Sequence, residues 1–228
     1  RQMDAEDNGY LQKLKRHAFK NGVDLICLSI HQDFVDPDPE VRQRNIDHTE
    51  KCIELAYKMG IPSIRLNSGR WGTVKSFNKL MELRGKEPIL PGHTLDDGFK
   101  WCIDSIAKCL PKAAECGVML ALENHWGLTR MPEGLLRIVN AIDSPWLGLL
   151  MDTGNFLENP YKKLEMIAPR TTFVSPFRFV NTPPAKKRGT QKPMQAALPQ
   201  AAWQASLRAA TVQSCVIWWR YSTPQLGT

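Results

Sequence analysis

Two short apolar runs in the middle of the chain each end in an acidic residue. Residues 118–122 read VMLAL and are followed by Glu123, and residues 147–151 read LGLLM and are followed by Asp152. Neither run alternates apolar with polar positions, so both are predicted to be strands buried on two faces, as in a parallel sheet covered by helices. Since ligands and catalytic groups gather at the carboxyl ends of such strands, the two acids are predicted to meet there and share a metal ion.

Strands and helices are predicted to alternate along the rest of the chain. Further strands are predicted at residues 23–30, 61–66 and 171–175, and helices at residues 4–21, 38–59, 94–116, 132–142 and 160–168. This alternation favours βα units with right-handed crossovers, in an open doubly wound sheet or in most of a barrel. The long connection over residues 69–94 predicts either a lid or substrate-binding loop, or a surface insertion.

The composition is that of an ordinary globular protein, with 43% hydrophobic and 23% charged residues among 228. No membrane-spanning stretch or signal peptide is visible, which predicts a cytoplasmic protein without a membrane partner. The chain begins at Arg1 rather than at a methionine, as is typical of a fragment. The six cysteines form no CxxC pair and are predicted to be buried thiols.

The net charge of +7 does not indicate a nucleic-acid partner when the positions of the charged residues along the chain are considered. Residues 1–170 contain all 23 acids and 23 of the 30 basic residues, whereas residues 171–228 contain seven basic residues and no acid. A nucleic-acid-binding protein is expected to carry its basic patch on the folded body, and here that body is neutral. We therefore divide the chain into a domain over residues 1–170 and an acid-free tail over 171–228. A reading-frame error near residues 172–177 would produce such a tail, which is not expected to form an independent domain.

Four sequence stretches carry a resemblance to a known family. LSIHQDF, AYKMGIPSIRL, ALENHWG and GLLMDTGN resemble the xylose-isomerase-like TIM-barrel superfamily, and within it the sugar phosphate isomerase/epimerase group. The similarity runs from about residue 10 to about residue 172. It implies an α/β fold, a partial (β/α)8 TIM barrel in which strands two to six are recognisable, the first strand is missing and the C-terminal tail is atypical.

The resemblance also implies a site chemistry. Glu123 and Asp152 match the family's metal-ligating acids at the ends of the fourth and fifth strands, and Glu123 matches one of its two catalytic glutamates. One divalent ion is implied, manganese first, with magnesium or zinc as alternatives. The partner is a small sugar or sugar phosphate. The residues expected to contact it lie around the rim: His31, Arg65, Asn67, Asn124, His125, Trp126 and Asn155. For Arg65 and Arg70, an ion pair at the rim is expected as much as a contact with a sugar phosphate.

Two departures from the family pattern bear on activity. Ser175 stands where the sixth-strand ligand is expected, and no acid follows residue 170 to act as the second catalytic glutamate. A metal held by Glu123 and Asp152 alone is therefore expected to bind weakly. Without it, two close buried carboxylates are expected to raise each other's pKa.

Three functions follow from the sequence, in this order. The first is a metal-dependent sugar isomerase or epimerase, impaired in this chain, that moves a proton between adjacent carbons through an enediolate. The second is a degenerate, non-catalytic sugar-binding protein. The third, an endonuclease-IV-like phosphodiesterase, would need several histidines for a zinc cluster, and the strand over residues 61–66 is followed by Asn67 instead. An oligomer that covers open sheet edges is also compatible with the sequence.

Overall fold

The computed structural model describes residues 7–175 and the backbone of residues 214–218. Its helices are α1 (Asn8–Lys20), α2 (Pro39–Met59), α3 (Phe77–Glu82), α4 (Leu95–Cys116), α5 (Pro132–Ile142) and α6 (Pro160–Ile167). Its strands are β1 (Asp24–Ser29), β2 (Ser63–Leu66), β3 (Met119–Glu123), β4 (Leu147–Asp152), β5 (Thr171–Ser175) and β6 (Ser214–Trp218). The strands and helices predicted within residues 7–175 are all present. The differences concern their ends, the additional helix α3 and two short 3-10 helices, Leu128–Arg130 and Ala168–Arg170.

The strands form one parallel sheet in the order β5-β4-β3-β2-β1-β6. Consecutive strands from β1 to β5 are neighbours, and the sheet curls into a half-barrel, which confirms the predicted partial TIM barrel. The segment 214–218 pairs with β1. In a complete barrel the first strand would pair at this edge, and that strand is the one predicted to be missing, so β6 occupies its place. The rest of the tail lies outside the described residues.

Local signals in the sequence set the ends of the two longest helices. The Asp38 side chain accepts a hydrogen bond from the backbone of Glu40, and α2 ends at Gly60 in the left-handed conformation. A reciprocal capping box between Thr94 and Asp97 starts α4. The long connection before it, predicted as a lid or substrate-binding loop or as a surface insertion, contains α3.

The strand residues alternate between two apolar layers. Leu28, Ile64, Leu120 and Leu149 belong to the main core beneath the helices. Cys27, Ala121 and Leu150 form a smaller cluster on the opposite face of the sheet, inside the half-barrel. Since side chains alternate along a strand, Glu123 follows Ala121 and Asp152 follows Leu150 on that inner face.

Two further sequence expectations concern the cysteines and membranes. Among the described residues the cysteines are free, and four of the five are buried, as predicted. No helix in residues 7–175 combines the length and the apolar character that a membrane span requires.

Candidate active site

Glu123 and Asp152 end two adjacent strands, and the structure brings the two predicted acids together. They are only 3% and 4% exposed. Glu123 lies beside Leu150 in the register of β3 and β4, and Asp152 is the second residue beyond it on the same face. The two carboxylates are close enough for the charge of Asp152 to raise the pKa of Glu123, although burial is the larger cause of the increase.

Asn124 fixes the two strand ends relative to each other. Its Nδ2 donates to the carbonyl of Asp152 at 2.9 Å, and its Oδ1 accepts from the backbone N–H of Asp152 at 2.6 Å. Both ends of this amide are thus bound to main chain. Asn124, expected from the resemblance to contact substrate, acts in the structure as a clamp between the acids.

The Asp152 carboxylate is held by the turn that follows it. Its Oδ1 accepts from the backbone N–H of Gly154 at 2.6 Å. Burial raises the pKa of Asp152, and this effect is opposed by the Gly154 N–H, the charge of Arg65 and the backbone N–H of Asn155. The DTGN stretch therefore positions the acid through its backbone, and Asn155 contributes its N–H to that arrangement.

Arg65 forms a buried ion pair with Glu123. Its Nε and Nη2 donate to Oε2 of Glu123 at 2.7 and 2.5 Å, and its Nη1 donates to the carbonyl of Ile30 at 3.0 Å. The two side chains are 3% and 4% exposed. Of the two expectations for Arg65, sugar contact or an ion pair at the rim, the structure shows the ion pair.

The two histidines of the rim lie near these charges. Burial, followed by the charges of Arg65 and His31, lowers the pKa of His125 to about 3. The imidazole of His125 is therefore neutral at physiological pH and contacts the ring of Trp126 at a centroid distance of 4.6 Å. His31 is exposed and lies at the start of the loop that follows β1.

Several buried polar atoms at the rim have no hydrogen-bond partner among the residues that the structure describes. They are Ser29 Oγ, Gln32 Oε1, Asn67 Oδ1, Trp126 Nε1 and Thr153 Oγ1. Asn67 and Trp126 are two of the predicted sugar-contact residues. A buried polar atom without a partner is costly, so these atoms favour a polar ligand or water at the rim.

The sequence did not predict the burial of Glu87. Its side chain is 2% exposed and accepts from Nη1 of Arg70 at 2.8 Å. It also accepts from the backbone N–H groups of Gly72 and Val74 at 3.3 and 3.1 Å. The long connection is thus tied together by one carboxylate. No periodic pattern in the sequence marks this residue.

Asp33 links the loops that follow β1 and β2. Its Oδ1 accepts from the backbone N–H groups of Val35 and Arg70 at 3.0 and 3.2 Å. Burial raises the pKa of this carboxyl to about 7, from an ordinary value of 3.8. The folded chain therefore holds the Asp33 proton more tightly than the unfolded chain does.

This shift predicts a pH dependence of stability. Well below pH 4 Asp33 is protonated in both the folded and the unfolded chain, and its favourable contribution to the unfolding free energy is fully present. Between pH 4 and 7 the unfolded chain loses the proton first. Because the pKa rises from 3.8 to about 7 on folding and each pKa unit corresponds to about 1.4 kcal/mol, wild type is expected to lose about 4 kcal/mol of unfolding free energy relative to Asp33→Asn. Asparagine retains the acceptor oxygen. Urea unfolding of both proteins across this range measures the difference, and parallel profiles would contradict the assignment.

The donor chemistry at the strand ends fits a hard divalent ion. Glu123 and Asp152 are buried carboxylates on one face, the kind of donor that hard divalent ions prefer, and Arg65 balances only one of their two negative charges. Within the described part of the chain no cluster of three or more His, Cys, Asp or Glu residues is assembled. An ion at the strand ends would therefore find two carboxylates in residues 7–175.

This architecture is similar to that of known proteins. The family model described as "Xylose isomerase-like TIM barrel" matches residues 2–189. A D-tagatose 3-epimerase-like protein is 18% identical with a TM-score of 0.59, over 72% of this chain and 59% of that one. The 3-keto-D-glucoside 4-epimerase YcjR of E. coli is 16% identical with a TM-score of 0.62, over 95% and 80% of the two chains.

A third solved structure contains a metal. It is a xylose isomerase-like TIM barrel protein from Mycobacterium smegmatis in complex with magnesium, 16% identical with a TM-score of 0.55, over 75% of this chain and 56% of that one. The chain thus spans less than two thirds of the length of two of these three structures. The search of curated protein sequences found no match.

Proposed function

Because the chain belongs to the xylose isomerase-like TIM barrel family, we propose that it acts on a small sugar or sugar phosphate as a divalent-metal-dependent isomerase or epimerase. One observation carries the proposal: two buried carboxylates end adjacent parallel strands on one face of the sheet. The epimerase names of two similar structures support a sugar as the substrate class.

Glu123 is proposed as the base that removes a proton from the carbon beside the sugar carbonyl. Burial raises its pKa, so the carboxylate is a stronger base than one in water. Asp152 is proposed to hold the ion with Glu123, and Asn124 keeps the two strand ends in register. When bound, a divalent ion would supply Lewis-acid stabilisation of the developing enediolate charge.

Neutral groups around the acids are proposed to bind the sugar hydroxyls. His125 remains uncharged because of its lowered pKa. Asn67 and Trp126 present buried polar atoms without partners in the described chain. His31 and Asn155 complete the proposed contact set. Manganese is the first choice of ion for two carboxylates, with magnesium or zinc as alternatives.

The chain is proposed to be impaired, because residues 171–228 contain no Asp or Glu that could serve as the second acid. One base can remove a proton and return it to the same face. Delivery to the other face, which epimerisation requires, needs a second group. The expected behaviour is therefore exchange of the sugar proton with solvent and little epimerisation. This deficit also favours the second candidate, a non-catalytic sugar-binding protein.

Solvent exchange separates these possibilities. A ketohexose incubated with the chain and manganese in D2O is expected to gain deuterium at the carbon beside the carbonyl, as measured by NMR, with little epimer. Glu123→Gln, or a chelator, is expected to reduce exchange to the uncatalysed rate. Sugar binding without any exchange would favour the non-catalytic candidate. Neither binding nor exchange would contradict both.

A further inference from the structure

The guanidinium of Arg65 is bound to one oxygen of the carboxylate that is proposed to hold the ion. Two of its nitrogens donate to the same oxygen, Oε2 of Glu123, at 2.7 and 2.5 Å. A third donates to the carbonyl of Ile30 at 3.0 Å. The side chains of this pair are almost fully buried. The arginine is thus held in place by both the acid and the backbone of the neighbouring strand.

The charges of these groups decide how the site treats a divalent ion. Glu123 and Asp152 together carry two negative charges when ionised, and Arg65 cancels one of them. An ion that binds both acids would lie within a few ångströms of the guanidinium, unless Arg65 moves away. Charge repulsion at such distances is strong where water is excluded, since the effective dielectric constant is low.

We propose that Arg65 is an internal counter-ion that competes with the divalent ion for Glu123. The guanidinium is bound to Oε2 of the buried acid, so an ion that coordinates Glu123 must displace it from this oxygen or bind beside its positive charge. The inference rests on the proposed function, because it takes Glu123 and Asp152 as the ligands.

The opposite role is a specific alternative. If Arg65 only orients Glu123 for the ion, its removal would disorder the ligand and weaken metal binding. If Arg65 competes with the ion, its removal is expected to strengthen metal binding instead. The affinity of the chain for manganese, without any assay of activity, therefore distinguishes the two roles.

The test compares manganese dissociation constants, obtained from the EPR signal of free Mn²⁺ at pH 8. Arg65→Gln is expected to bind manganese roughly 10–100-fold more tightly than wild type, because one positive charge beside the ion is gone. Arg65→Lys retains the charge and is expected to bind no more tightly than wild type. Arg137→Gln is the control with the same change of charge: Arg137 pairs with the exposed Asp96, so the manganese affinity of this variant should equal that of wild type.

The possible results separate the competition by Arg65 from the proposed metal site itself. Equal or weaker binding by Arg65→Gln, with measurable wild-type binding, would overturn the competition and leave the proposed metal site intact. No binding by any of the proteins would overturn both. If Arg65→Gln does not fold, the Nε–H signal of Arg65 in ¹⁵N spectra of wild type provides the readout. Saturating magnesium is expected to shift it and speed its exchange with solvent, and an unchanged signal would contradict the proposal.

Discussion

Replacement of Gly69 by alanine is expected to reduce the unfolding free energy by roughly 2–5 kcal/mol, from backbone strain together with overpacking. Gly69 has a φ of +87°, a conformation that residues with a Cβ rarely adopt. A Cβ there would lie 2.0 Å from Oδ1 of Asp33 and 2.7 Å from the backbone nitrogen of Phe34. A backbone atom cannot rotate away, so the loops must separate.

The close approach at Gly69 is part of the way the rim is assembled. Gly127, in the loop after β3, also has a positive φ, and a Cβ on it would lie 2.0 Å from the carbonyl oxygen of Gly69. The loops that follow β1, β2 and β3 thus meet backbone to backbone beside the acids. Loss of this contact is expected to loosen the support of the site as well as to lower stability.

Gly92→Ala is the matched control for this prediction. Gly92 has a φ of +84°, but a Cβ there would have no heavy atom within 4 Å. This variant therefore carries the backbone strain without the clash, and its expected cost is about 1–2 kcal/mol. Urea unfolding of the two variants and wild type measures both terms. Equal losses for Gly69→Ala and Gly92→Ala would show that the tight contact contributes nothing.

Much of the fold could be predicted because its signals are local. The unbroken apolar runs before Glu123 and Asp152 gave the type and end of β3 and β4, since burial on both faces requires them. The N-cap at Asp38 and the glycine at 60 determine the ends of α2 within a few residues. The placement of the two acids on one face depends in addition on the register of β3 and β4, in which Glu123 lies beside Leu150.

The partnerships within the site were not predictable in the same way. Arg65 and Glu123 are 58 residues apart in sequence, and only the register of β2 and β3 brings them together. The burial of Glu87 depends on how a long connection folds back on itself. Asn124 resembled a substrate-contact residue by position, yet its amide binds the backbone of Asp152. Such contacts depend on tertiary packing, which no periodic pattern records.

Asp152→Asn is expected to weaken manganese binding by at least the roughly 10–100-fold that loss of an outer-sphere hydrogen-bond partner costs a metal site. The variant replaces a charged ligand with a neutral amide. Its Oδ1 still accepts from Gly154, so the turn after β4 is expected to persist. Glu123→Gln is expected to have a similar effect on affinity. Glu158→Gln serves as the control, because Glu158 pairs with Arg84 and Arg130 instead.

Anomalous diffraction from crystals of the wild-type chain soaked in manganese would show whether Glu123 and Asp152 share one ion. One manganese peak is expected in contact with the carboxylates of both residues, and no such peak is expected in crystals of Asp152→Asn soaked identically. A wild-type map with no peak between these two side chains, or with manganese bound only elsewhere, would contradict the shared metal site and the chemistry proposed for it.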